Sequence, residues 1–323
     1  MRGIIPAKIL CELEEELRRR NGKGARLCDY FDLICGTSTG GIIAIGLALG
    51  MSAKELLGFY CEHGKDIFKI NIIDRLQKHC LYDRTTLKRY LTDAYGETKI
   101  NDCKTRICIP TYDLYNGTIH VLKTPHLPEY VRDLHIPTVD AALCTAAAPV
   151  YFEPYSFKYK SIDSDSENQA HFHIDGGVFA NNPTLIGLIE ATRCLSINLN
   201  DVALLSIGTG QTLLKQTNFN RRMGFLYWLN PKSKESLRIY ELAASAQAVN
   251  IDNTLSLICK GAGNTEEKRF SYIRLQEPLQ KDIKLDAVDE DSINALLVIG
   301  QELYKHNATK LYPFIETKVK PYR

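Results

Sequence analysis

Two short segments of this 323-residue chain carry residue types that can do covalent chemistry. The first is Gly36-Thr37-Ser38-Thr39-Gly40-Gly41, set between the apolar run Tyr30–Cys35 and a small-residue helix pattern from Ile42 to Leu49. A Gly-x-Ser-x-Gly turn between a strand and a helix predicts a nucleophile elbow. Glycines two before and two after the serine let the backbone pack closely, and the turn lifts the hydroxyl above the sheet edge. The second segment is Asp175-Gly176-Gly177, which follows a short strand pattern, His171–Ile174, and precedes Asn181-Asn182-Pro183. Open α/β sheets place their chemistry at the C-terminal ends of strands. Alone, Asp-Gly-Gly is an ordinary turn. Paired with a serine elbow it supplies the base that a hydroxyl nucleophile needs, provided that burial raises the carboxyl pKa.

A serine–acid–histidine triad is the competing arrangement, and chain order makes His306 its best third member. That histidine falls at a helix end beside Lys305 and Asn307, where a solvated cap is the plainer role. His171 and His173 flank Phe172 and read as strand residues on one face. His63, His79, His120, His126 and His135 have no acid partner in the adjoining sequence. The dyad Ser38/Asp175 is therefore preferred. Phosphate binding by Gly36–Gly41 is disfavoured, because no Gly-Lys-Ser/Thr ending brings a lysine to the phosphates.

The elements that must position these residues alternate between helix and strand. Helices are predicted over 4–20, closed by Asn21-Gly22, over 39–50, from an N-cap at Ser52 to Lys65, over 86–95, over 138–148 and near 291–306. Strands are predicted over 30–35, 105–113, 118–123, 171–174, 202–207 and 270–276, the second and third joined by a hairpin at Asn116-Gly117. The polar segment Ser161–Gln169 reads as a loop excursion. No repeat or linker divides the chain, so the expectation is one α/β domain over residues 1–323, with strands buried between helices.

Composition agrees with a globular enzyme: 45% of residues are hydrophobic and 24% charged, with a net charge of +2 that makes no case for nucleic acid. Ten cysteines form no Cys-x-x-Cys pair and no zinc spacing, which fits a reducing, cytoplasmic setting, and no metal or cofactor is expected. No secretory leader is legible, and the apolar stretch Ile42–Leu49 is far shorter than the ~20 residues that span a bilayer. Membrane contact would be peripheral. Arg221–Trp228 mixes basic and aromatic residues as an interfacial helix does, although a core-facing helix is the favoured reading there.

Four ordered motifs give these segments a family setting. Gly36–Gly41, Ala146-Ala147-Ala148-Pro149-Val150-Tyr151-Phe152-x-Pro154, Asp175–Pro183 with its Ala180-Asn181-Asn182-Pro183 ending, and Leu205-Ser206-Ile207-Gly208-Thr209-Gly210 together resemble the patatin-like phospholipase family. The resemblance covers about residues 1–210, with a weaker C-terminal extension over about 211–323. It implies a three-layer α/β/α sandwich with a mainly parallel central sheet. It also implies hydrolysis of phospholipid or other lipid acyl esters through an acyl-enzyme on Ser38, with Asp175 as the only catalytic partner and no cofactor. Oxyanion and elbow support would come from Arg2, Gly3, Gly36, Thr39 and Gly40. Family members carry a first strand ending in Asp-Gly-Gly-Gly-x-Arg-Gly, whose glycine amides form the oxyanion hole. Here Met1 stands at the x, and only Arg2-Gly3 match. The retained Arg2-Gly3, Ser38 and Asp175 favour a sequence that starts late, while a shortened, weak enzyme or a non-catalytic lipid- or partner-binding protein is the alternative. Loss of one oxyanion donor costs about 2.7–4 kcal/mol.

Overall fold

The computed structural model describes residues 1–69, 80–160, 167–211, 228, 238–260, 270–279 and 283–322. Helix α1 (Ile4–Asn21) places Ile5, Ile9, Leu13 and Leu17 on one fully buried face. It ends at Gly22, whose φ of 98° closes the last turn. Its polar side carries Glu14, which is buried and accepts hydrogen bonds from Arg18 (2.9 Å) and from the amide of Ala53 (3.0 Å). Burial raises the Glu14 pKa, opposed mainly by Arg18. That carboxylate ties α1 to the first turn of α3 (Ala53–Ile67), where free amides favour an anion. A reciprocal capping box starts α3: the Ser52 hydroxyl accepts from the Glu55 amide, and Glu55 accepts from the Ser52 amide.

Strand β1 (Leu33–Cys35) leads into α2 (Thr39–Leu49), and α4 (Arg84–Tyr95) follows. Then come β2 (Arg106–Asp113), β3 (Thr118–Lys123), α5 (Thr138–Thr145), β4 (Tyr155–Lys160) and β5 (Glu167–Asp175). Short α6 (Gly177–Ala180) and α7 (Thr184–Ile189) precede β6 (Ala203–Ile207), α8 (Arg238–Lys260), β7 (Ser271–Leu275) and α9 (Glu290–Leu311). The five-stranded sheet runs β1-β2-β5-β4, with β3 also paired to β2, and β6 and β7 form a separate two-stranded sheet. Helices cover the sheets, giving the three-layer α/β/α arrangement. The expected parallel pairing holds for β1–β2 and β6–β7, while β2–β3, β2–β5 and β4–β5 are antiparallel. Among the described residues, β1 and β6 each have one partner strand, and both line the same cavity.

Several boundaries differ from the sequence expectation, for local reasons. The strand expected over 30–35 is only Leu33–Cys35, because its ladder to β2 covers only Arg106–Cys108 and the chain before it turns at Leu27–Asp29. Strand β4, with its alternation of buried and exposed positions over Tyr155–Lys158, is an addition to the expected strands. Its partner β5 begins at Glu167, so the last part of the expected Ser161–Gln169 loop is strand, and 161–166 lie outside the described residues. Helix α5 stops at Thr145, short of the expected 148. Helix α8 was not anticipated. The basic–aromatic segment lies outside the described residues, except for half-buried Trp228.

One large core joins α1, α2, α3 and α5 to the sheet and reaches α9, and a smaller one lies among α7, β6, α8 and β7. Among the described residues no helix is long and apolar enough to cross a membrane. Replacing the capping hydroxyl with Ser52→Ala is expected to lower unfolding stability by about 1 kcal/mol, read from the midpoint of urea denaturation.

Candidate active site

The elbow is built by close contact. A Cβ on Gly36 would overlap the carbonyl of Gly40, so only glycine lets the strand end meet the start of α2. The tight packing expected at Gly40 falls instead on Gly41, where a Cβ would stand 2.5 Å from Thr145 Cγ2, whereas one on Gly40 would meet nothing within 4 Å. Ser38 itself takes φ 57° and ψ −126°, a conformation that costs a non-glycine residue about 1–3 kcal/mol and needs support from its surroundings.

That support is a set of named hydrogen bonds. The Ser38 amide donates to Thr145 Oγ1 at 3.0 Å, and the Thr145 hydroxyl donates to the Pro110 carbonyl at 2.6 Å, tying the elbow through α5 to β2. The Thr37 hydroxyl donates to the Ala180 carbonyl at 2.7 Å, joining the elbow to the segment after Asp175. Tyr60 of α3 donates its hydroxyl to the Thr39 carbonyl at 2.8 Å. As the first residue of α2, Thr39 has no intrahelical acceptor for its own amide. Gly3 packs against the same residue: a Cβ there would lie 3.0 Å from Thr39 Cβ. The Arg2 guanidinium donates to the Ile283 carbonyl through Nε (2.7 Å) and Nη2 (2.5 Å).

Asp175 sits at the end of β5 with no exposed surface. Its amide donates to the Ala147 carbonyl at 3.0 Å, and Oδ1 accepts from the Gly177 amide at 2.7 Å. A Cβ on Gly176 would overlap the Pro110 carbonyl, so the turn after the acid also depends on a missing side chain. Oδ2 makes no hydrogen bond of normal geometry. Burial pushes the Asp175 pKa up to about 7, against opposing pulls from the Ser38 side chain and the Gly177 amide. Tyr240 of α8 closes the other side: its hydroxyl would stand 2.7 Å from a Cβ on Gly177, and burial holds it un-ionised. No local pattern marks Tyr240 or Thr145 as supports, because their contacts with Gly177 and with the Ser38 amide span more than sixty residues of chain.

A cavity of about 1000 Å³ is lined by Ser38, Thr39, Asp175, Tyr240 and the strands β1 and β6. None of the described histidines lines it. His306 is 68% exposed beside Glu302, far from a triad role. His171 lies against the Tyr115 ring, while His173 is buried near Thr111, with Phe172 between them in a left-handed conformation (φ 50°). Two histidines without an acid neighbour in sequence have one in space: His126 bonds Glu190 at 2.7 Å, and His120 approaches Asp133 at 3.4 Å. His79 lies outside the described residues.

With this geometry in place, the family comparison has a structural counterpart. The sequence profile of the family described as "Patatin-like phospholipase" matches residues 1–188. The chain belongs to the patatin-like phospholipase family. A protein of Vibrio cholerae named cGAMP-activated phospholipase is 33% identical over 96% of this chain and 89% of its own length. A protein of the same name in Pseudomonas aeruginosa is 33% identical, covering 91% and 81%. A Solanum tuberosum protein named probable inactive patatin-3-Kuras 1 is 28% identical, covering 96% and 85%. Patatin-like membership makes the chain a hydrolase with lipid substrates.

The raised pKa has a stability consequence with a definite sign. Between its ordinary value of 3.8 and about 7, Asp175 binds more protons in the folded than in the unfolded chain, so its ionisation lowers stability as pH rises through that window. Asp175→Asn is therefore expected to raise the melting temperature at pH 8, with the gain shrinking toward pH 4. Thermal melts across that range provide the measurement.

Proposed function

We propose that the chain hydrolyses fatty acyl esters of phospholipids or related lipids through a Ser38–Asp175 dyad. One observation carries the reading: a buried carboxyl with a pKa near 7 lines the same cavity as a serine held in a strained elbow. The Ser38 hydroxyl attacks the ester carbonyl carbon as its proton passes to the Asp175 carboxylate. The tetrahedral oxyanion collapses, the leaving alkoxide takes that proton from Asp175, and the acyl group remains on Ser38. Water then attacks the acyl-enzyme, delivering its proton to Asp175, and fatty acid leaves as Ser38 is reprotonated. The Thr39 amide, at the first position of α2 and without an intrahelical acceptor, would donate to the oxyanion, and Gly3 packs on that residue.

Incubation with phosphatidylcholine vesicles is expected to release fatty acid, and Ser38→Ala and Asp175→Asn each to reduce release at least about 10³-fold. Retained release in both variants sinks the dyad. Because the base must be ionised, kcat/KM is expected to rise with pH through about 7 and level off above it. Stoichiometric labelling of Ser38 by a fluorophosphonate separates a live nucleophile from the non-catalytic lipid- or partner-binding alternative; the Solanum tuberosum relative is itself named probable inactive.

The names of the bacterial relatives also support a regulated enzyme, activated by cGAMP. Fatty-acid release with and without added cGAMP measures this. An increase is expected, and identical rates at saturating nucleotide would reject it.

A further inference from the structure

Away from the cavity, three strands bring a second set of chemically capable side chains together. Asp113 ends β2, His120 lies in β3, and His173 lies in β5. Asp113 pairs directly with His173, and His120 pairs with Thr111, so all three share one face of the sheet. One ligand-type atom from each lies within 4.8 Å of the other two. Asp113 and His173 are buried, and His120 is partly open to solvent.

We propose that this cluster is a binding site for one divalent transition-metal ion of the zinc class. The donor set, two imidazoles and one carboxylate, suits such an ion. Zinc bonds of about 2.0–2.1 Å place tetrahedral ligand atoms roughly 3.4 Å apart, so side-chain rotations moving them by about an ångström complete the set. The partner groups are those that orient metal ligands. The Asp133 carboxylate stands behind His120 at 3.4 Å, held in turn by Arg132 (2.7 and 3.1 Å) and the Lys123 amide (3.1 Å). The Thr111 hydroxyl lies 3.5 Å from His173 Nδ1. The Asp113 carboxylate is fixed by the amides of Tyr115 and Asn116 and by the Asn116 side chain, at 2.7–3.0 Å. Backing of this kind sets ring orientation and ligand basicity.

A second cluster, which shares only Cys108 of β2 with this sheet, has the right residue types but not the right wiring. In Cys108–His126–Glu190 both His126 nitrogens are engaged, by Glu190 at 2.7 Å and Thr124 at 3.2 Å. The Lys123 ammonium already supplies a positive charge to Glu190 at 2.6 Å. That cluster is a satisfied ion-pair network, and it serves as the internal control.

Position gives the proposed site a consequence. His173 precedes Asp175 by two residues, and both pair with β2 on the same sheet face. A bound ion would link the β2–β3 hairpin to the strand that presents Asp175, and so act on the acid by positioning it.

The test uses the full chain, titrated calorimetrically with Zn²⁺, with Co²⁺ absorption as a second probe. One high-affinity Zn²⁺ site per chain is expected, with a Co²⁺ spectrum free of thiolate charge transfer. His120→Gln, His173→Gln and Asp113→Asn are each expected to remove it. Asp133→Asn should weaken it about 10–100-fold, and Cys108→Ser should leave it unchanged. Circular dichroism confirms folding of each variant, and Zn²⁺ should raise the melting temperature of the parent but not of His120→Gln. Equal binding by the parent and His120→Gln, a thiolate signature with Co²⁺, or no stoichiometric binding would each overturn the proposal.

Discussion

Removing the Asp175 carboxylate from water is the interaction on which the rest of the site depends. A carboxyl at the usual pKa would be a poor proton acceptor near neutrality, and one with no exposed surface carries a value near 7 because its charged form has lost its hydration. The burial is produced by several elements at once. Ala147 accepts the Asp175 amide, Pro110 packs on Gly176, and Tyr240 closes over Gly177. Thr145 bonds both the Ser38 amide and the Pro110 carbonyl, so the serine and the acid are positioned by the same residue of β2. Elbow, α5 and acid turn thus form one hydrogen-bonded body, in which the geometry of the pair does not depend on either loop alone.

Such a body is costly to the fold. The Ser38 backbone is strained and the Asp175 charge is desolvated, and both terms oppose folding. The offset comes from ordinary sources at a distance. Helix α1 buries a continuous apolar face against α3 and α9, and Glu14 and the Ser52–Glu55 box satisfy the first turn of α3. Tyr60 then carries that rigidity to the elbow through the Thr39 carbonyl. A stable scaffold remote from the chemistry is what permits a destabilised centre.

The mixed sheet adds a second layer of organisation. Antiparallel β3 and β5 flank β2 on either side, so polar side chains far apart in sequence fall on one face beside the acid. Asp113, His120 and His173 meet there, although no two of them are closer than seven residues in the chain. Sequence spacing of the usual metal-ligand kind was absent for that reason. His126 and Glu190 likewise find each other only through the fold.

Much of the Ser38–Asp175 pair was legible in the sequence because its determinants are local. A glycine that must approach a carbonyl, a serine on a strand-to-helix turn and an acid followed by two glycines are backbone requirements that short motifs record. Helix α1, the Ser52 cap and the Asn116-Gly117 hairpin were legible for the same reason, since periodicity and capping act within a few residues. Strand β4, helix α8 and the placement of the tight contact at Gly41 rather than Gly40 were not legible there. By itself the sequence determined the glycine-flanked turn at Ser38, the position of Asp175 at a strand end and the family to which they belong. Only the tertiary structure decided that Asp175 is fully buried, that Thr145 and Tyr240 hold the pair, and that no described histidine reaches it. Desolvation and long-range hydrogen bonding depend on what packs from elsewhere in the chain, and no local pattern carries that information.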